Sequence, residues 1–204
     1  MFRSLPILAM VSVIGCVQSP ENILDNDPFA PTVHQSVVRT PTGDATVSWV
    51  EIDGMAVTGG DILLGTAADL RSRAAPIAGF GFHWPQGIIP YEIEAGFLDP
   101  SRVTDAIAIV NAETDIRLVP RTIETDFVRF VGGGSCSSFV GRQGGMQFIT
   151  LARGCNMGSA LHEIGHAAGL EHEQTRPDRD QFIDIFPQCI LAGTEFNYHL
   201  NLVH

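Results

Sequence analysis

The sequence predicts an α+β fold, on three observations. Apolar residues repeat at helical spacing from Ser101, strand-like runs follow one another between residues 116 and 151, and a longer helical run opens near Gly158. At 204 residues, 45% hydrophobic and 17% charged, the chain is long enough for one domain with a real core and some tail. Its net charge of -11, with no run of basic residues, argues against a nucleic-acid partner, because phosphate binding needs clustered Lys and Arg.

Residues 1–16 are expected to be a targeting segment. Arg3 supplies a positive end, and Leu5 to Ile14 form an apolar stretch too short to span a bilayer. The stretch closes on Val13-Ile14-Gly15-Cys16, which resembles the bacterial lipobox, whose cysteine is lipidated after cleavage in front of it. An ordinary signal peptide is the alternative. Either way the mature protein is expected outside the cytoplasm, in the envelope or secreted, with a lipid anchor to the membrane if Cys16 is acylated.

Residues 17–45 carry prolines 20, 28, 31 and 41 and show no period, which predicts a mobile linker. Thr46 to Ile52 alternates like a short strand, Thr58-Gly59-Gly60-Asp61 marks a turn, and Ala67 to Ala75 fits a short polar helix. Ile88 to Ile93 reads as a strand, and Pro90 places it at an edge or a strand start. Ser101 is the expected cap of a helix whose Val103, Ile107 and Val110 face inward. Ile116–Val119 and Phe127–Val131 are strands, and a glycine-rich loop, Gly132 to Gly145, leads into the strand Met146–Leu151.

The chemistry is concentrated in His162-Glu163-Ile164-Gly165-His166-Ala167-Ala168-Gly169-Leu170-Glu171-His172. Ser159 is the expected cap of its helix, and Leu161, Ile164 and Ala168 the expected buried stripe. His162 and His166 lie four apart, so both rings leave one helix face one turn apart and can reach one Zn2+. Glu163 sits beside the first ligand, placed to take a proton from water without ligating. Gly169 permits the left-handed residue that turns the chain back, and His172 can complete a three-histidine site with an open fourth position. Outside Cys16 three cysteines remain, Cys136, Cys155 and Cys189, so one pair and one left over is the simplest arithmetic.

The run from His162 to His172 fits the metzincin zinc signature, and its continuation Glu173-Gln174-Thr175-Arg176-Pro177-Asp178 resembles that of the astacin family. Upstream, Trp84-Pro85-Gln86-Gly87-Ile88-Ile89-Pro90-Tyr91 is similar to the opening of the family's catalytic domain. The resemblance implies the N-terminal subdomain of a zincin-like peptidase, a twisted mixed sheet with an edge strand plus an active-site helix, over residues 76–204. It implies a zinc-dependent metalloendopeptidase acting on proteins or peptides, with Glu163 as general base. It also implies a Cys136–Cys155 disulfide, a substrate-binding edge strand at Met146, Gln147, Phe148, Ile149 and Thr150, and a buried contact of Glu173 with the mature N-terminus.

Residues 46–75 resemble a propeptide. Family zymogens carry F-x-G-D, whose aspartate fills the open zinc position, and Thr58-Gly59-Gly60-Asp61 matches it at glycine and aspartate but not at the aromatic. The resemblance thus implies a zymogen switch at Asp61, the alternative being a plain glycine–aspartate turn. The family also implies a C-terminal subdomain with a Met-turn after the third histidine. Methionines 1, 10, 55, 146 and 157 all precede His172, so the chain as given is expected to lack it. The alternative function is therefore an impaired zinc- and peptide-binding lipoprotein fragment.

Overall fold

A computed structural model describes residues 31–40, 43–72, 83–191 and 193–200. The targeting segment with Cys16 lies outside the described residues. Nine strands are formed: β1 (His34–Thr40), β2 (Gly43–Ile52), β3 (Met55–Thr58), β4 (Ile62–Thr66), β5 (Ile88–Ile93), β6 (Arg117–Pro120), β7 (Phe127–Gly132), β8 (Cys136–Ser138) and β9 (Met146–Leu151). Among the described residues three α-helices accompany them, α1 (Ala67–Arg71), α2 (Ser101–Glu113) and α3 (Met157–Ala168), and short 3-10 turns follow from Glu173 to Tyr198. The strands join one mixed sheet in the order β1-β2-β3-β4-β8-β9-β7-β5-β6.

The α+β expectation holds, and the sheet is larger than the sequence suggested. Residues 34–40 and 43–45, expected within a linker, instead form β1 and the start of β2, paired antiparallel from His34↔Trp49 to Thr40↔Gly43. The strand was hidden because its alternate residues are His34, Ser36 and Val38. His34 stacks on Trp49 at 4.5 Å, Ser36 Oγ accepts from Trp49 Nε1 at 3.0 Å, and only Val38 adds an apolar core contact. A strand whose buried face is two-thirds polar gives no hydrophobic period.

Two further expectations are corrected by pairing. Strand β5 is interior, flanked by β6 and β7, although its ladder with β7 begins at Tyr91, one residue after Pro90. The glycine-rich stretch 132–145 contains β8, which folds back antiparallel on β9. Ser101 is the first residue of α2 rather than its cap; Pro100 holds the cap position, and the Ser101 hydroxyl bonds Asp99 Oδ1 at 2.5 Å.

The main core joins three elements. Ile89, Val128, Phe130, Ile149 and Leu151 from the sheet meet Val103, Ala106, Ile107 and Val110 from α2, and Ala160, Ile164 and Ala167 from α3. The Cys136–Cys155 disulfide forms at a Cα–Cα distance of 6.0 Å and ties β8 to the loop before α3. Closing a loop of about 20 residues stabilises by roughly 3 kcal/mol in the chain-entropy picture. Cys189, expected to be left over, is disulfide-bonded as well. The upstream strands have their own cores, Val38, Trp49, Ala56, Leu64, Ala67 and Leu70 on one side and Val50, Val57 and Leu63 on the other.

Candidate metal centre

Helix α3 is fixed at both ends. Its N-terminus is capped by Asn156, whose side chain accepts from Ser159 N at 3.0 Å, so Ser159 is the recipient of the cap rather than the cap itself. At the other end Gly169 takes φ 112°, a left-handed conformation that lets its N–H and that of Leu170 return to the helix carbonyls. Trp84 Nε1 donates to Ala167 O at 2.7 Å and Gly141 N to His166 O at 2.8 Å, so the last turn is pinned from two outside segments. The buried face is Ala160, Ile164 and Ala167; Leu161 and Ala168 are only half-buried.

The three histidines expected to ligate converge. Their Nε2 atoms lie 3.0 Å apart for His162–His166, and 3.2 Å for His162–His172 and His166–His172. His166 Nδ1 faces the Leu170 carbonyl at 2.7 Å, and a carbonyl can only accept, so the proton sits on Nδ1 and the Nε2 lone pair points inward. Three such nitrogens gathered in one place fit a cation and little else. A tetrahedral zinc with bonds of about 2.0 Å needs ligand–ligand edges of about 3.3 Å, close to those found.

The turn between β3 and β4 brings Asp61 to the same point. Its carboxylate lies 3.1 Å from both His162 Nε2 and His172 Nε2, so the four side chains form one candidate metal group. The approach is close: a Cβ on Gly59 would stand 3.0 Å from His172 Nδ1, and the residue has φ +64°, so glycine is needed there twice over. Thr58, where the family motif has an aromatic, instead donates its hydroxyl to Ser48 O at 2.8 Å and locks the turn to β2. Ser138 N donates to Asp61 O at 3.0 Å, and Ile62 pairs with Ser138, so β4 lies parallel against β8.

Electrostatics separate the four acids and bases. Burial alone would raise the Asp61 carboxyl, but hydrogen bonds from His166 and His172 outweigh it and hold Asp61 well below the usual range. Burial and the nearby His166 charge keep His162 below its ordinary value. For His166, burial is overcome by the Asp61 and Leu170 hydrogen bonds and the shift is upward. Glu163 is only 1% exposed, its Oε2 has no hydrogen-bond partner, and burial reinforced by the Asp61 charge pushes it up to about 8. A zinc ion beside it would reverse that logic by favouring the carboxylate. Without metal, Glu163 is protonated in the folded state and ionised in the unfolded state between its ordinary 4.5 and about 8. The unfolded chain then holds fewer protons, so stability should fall as pH rises through that window. Thermal unfolding of chelator-stripped protein should show this fall, and Glu163→Gln should flatten it; an unchanged slope would show that Glu163 does not cause it.

The expected substrate strand needs correction. Strand β9 is not an edge, because β7 flanks it on one side and β8 on the other, opposite Ile149, Thr150 and Leu151. The disulfide adds to this pairing by tying Cys136, opposite Leu151, to Cys155 in the loop beyond β9. Met146, Gln147 and Phe148 have no β8 partner, but Gln147 is buried and tied to Gly141 O and Gln143 N, so the side next to it carries a loop. Glu173 is exposed and bridges Arg176 in this form of the chain.

Sequence reasoning missed several supports. Arg102 is 7% exposed and donates to the carbonyls of Ala152 and Cys155, fixing the loop that launches α3. Its signal was its place on the inward stripe, four before Ala106. Asn156 carried a cap signal by residue type that was passed over for Ser159, whereas Trp84 had none, since its bond joins residues 83 apart in sequence.

A helix with buried His166 and more exposed His162 one turn apart, a third histidine beyond a glycine turn, and a buried glutamate between the first two define a zincin-class metallopeptidase site. A family model described as Astacin, a peptidase family, matches residues 80–202. The chain is 36% identical over 151 residues to astacin-like metalloprotease toxin 1 of Loxosceles intermedia, covering 72% of this chain and 57% of the toxin. It is 39% identical over 116 residues to high choriolytic enzyme 2 of Oryzias latipes, covering 55% of this chain and 42% of that enzyme. Among solved structures it resembles high choriolytic enzyme 1, a hatching-enzyme zinc-protease of the same fish, with a TM-score of 0.54 and 34% identity over 61% of this chain and 66% of that one. The chain belongs to the astacin family of zinc metalloproteases. It spans about half the length of the toxin and of high choriolytic enzyme 2.

Proposed function

We propose that this chain carries the zinc site of a metalloendopeptidase and that Asp61 holds the site latent. The observation that carries the reading is the convergence of His162, His166, His172 and Asp61 on one point beside the buried Glu163. Bound there, zinc would supply Lewis acidity toward a scissile carbonyl and toward water. Glu163 would accept the proton of the attacking water and pass it to the leaving amine, so that proton and bond changes balance. His166, oriented by Leu170, would turn its lone pair to the metal. Asp61, whose carboxylate lies 3.1 Å from His162 Nε2 and His172 Nε2, would serve as a further ligand and exclude the water that Glu163 would deprotonate.

Pairing of β4 with β8 supports a matching reading of substrate binding. With β4 gone, β8 would offer its free side to an extended peptide, the strand-addition mode of recognition. The match to the spider toxin is longer than residues 80–202 and so reaches upstream of the peptidase domain, where Asp61 lies. Export from the cytoplasm fits the targeting segment and the disulfides. Lipid anchoring through Cys16 rests on the sequence alone. Among the described residues no helix is long and apolar enough to cross a membrane.

Latency is tested by comparing Asp61→Ala with the unsubstituted protein. Hydrolysis of a quenched-fluorescent peptide should rise at least about tenfold without proteolytic trimming, the weight of one displaced ligand on a zinc centre. Equal rates with and without Asp61 would make Gly60-Asp61 only a turn. Zinc and peptide bound but never cleaved by the variant would favour the binding-protein alternative.

A further inference from the structure

We infer that residues 31–72 form a folded protein ligand of the zinc-site face, which stays bound after the chain is cut between residues 73 and 82. The inference rests on the zinc-site reading only through Asp61. What it adds is that removing latency takes two events, scission and then displacement, because the upstream piece is a docked β-module rather than a tether.

The module is internally built. Strand β1 is paired along its length with β2, β2 with β3 and β3 with β4. Helix α1 closes its lower core: Thr66 caps the helix, Leu70 is 4% exposed, and the Leu70 carbonyl accepts from Ser36 Oγ at 3.1 Å. Trp49, fully buried, clusters with Val38, Ala56, Leu64, Ala67 and Leu70. Among the described residues that cluster contains none after 72.

Its docking face is different in character and spread over four contacts. At the β2–β3 turn, the Asp53 carboxylate accepts from Gly134 N at 3.2 Å. Along β4, Asp61 O accepts from Ser138 N and Ile62 lies in register with Ser138, extending the main sheet. The apolar residues Val50, Val57 and Leu63 pack on Phe139 and Phe196, which belong to the peptidase part. The Asp61 side chain reaches the three histidines. Strand addition, apolar burial and a carboxylate on the metal site thus act together, and separation would expose Leu63 and Val57, now 6% and 1% exposed. An intact connector holds the two parts at an effective concentration of about millimolar, which scission removes. With the Cys189 disulfide removed as well, docking that survives micromolar dilution must come from this face.

The experiment uses the full chain with a specific protease recognition sequence replacing residues 74–81. Glu163→Gln prevents self-cleavage, and Cys189→Ser ensures that no disulfide of Cys189 bridges the cut. After complete cutting, size-exclusion chromatography at about 1 μM with zinc analysis of each fraction is the readout. One peak holding both pieces, separable only in denaturant, is expected. Asp61→Asn, which keeps size and shape, should weaken the association at least tenfold by dilution series, and Leu63→Asp should abolish it. Both pieces together without zinc would support docking while removing the zinc reading. Zinc retained on the later piece with the upstream piece eluting alone would overturn docking and leave the zinc reading standing.

Discussion

Zinc content is expected to fall from about one ion per chain to a small fraction of that when His166 is replaced by alanine. His166 is the most consequential of the three ligands because its side chain is 3% exposed and its orientation is set from both sides, by Leu170 O at Nδ1 and by the ligand cluster at Nε2. Water cannot readily reach the vacated position in the helix's inner face, so two histidines would be left. Loss of an outer partner alone lowers metal affinity 10- to about 100-fold, and loss of a ligand should exceed that. Elemental analysis after dialysis measures the effect. Unfolding with and without added zinc gives a second reading, since metal that binds only the folded state stabilises it in proportion to the logarithm of ligand excess. Stoichiometric zinc in the folded variant would sink the ligand assignment.

Glu163→Gln should behave in the opposite way, keeping the metal and losing the chemistry. Glutamine matches the shape of the glutamate but cannot accept a proton from water, so hydrolysis should fall by about 100- to 10,000-fold while zinc content is unchanged. The measurement belongs in the Asp61→Ala background, where the parent rate is highest. A variant that cleaves as fast as its parent would refute the base assignment. Loss of zinc along with activity would mean that Glu163 acts as a ligand instead.

Much of the site was legible because it is local. Helical spacing alone places His162 and His166 on one face, and glycine at 169 is what a reversing backbone requires, here at φ 112°. His172, three residues further on, can then reach the same point. Strands whose inward residues are mostly apolar, Phe127–Gly132 and Met146–Leu151, were also visible, and the second has the bounds expected of it. The same rule explains the failures. Strand β1 turns His34 and Ser36 inward, β8 is three residues long within a glycine-rich run, and neither has a period to detect. Capping misled in a different way: Ser101 and Ser159 are good caps by type, but Pro100 and Asn156 occupy the cap geometry.

By itself, then, the sequence determined the α+β class, the three histidines that converge on one point, the position of Glu163 and the helix that carries it with His162 and His166, since each depends on residues within a turn or two of one another. The Cys136–Cys155 pair and the reach of Asp61 were legible only through family resemblance. Only the tertiary structure decided that β8 covers part of β9, that β4 extends the sheet beside it, and that residues 34–72 are folded onto the zinc face. Those features arise from pairings between distant segments, where the partner supplies the hydrogen bonds and the burial. A strand's own residues do not specify which edge it will meet.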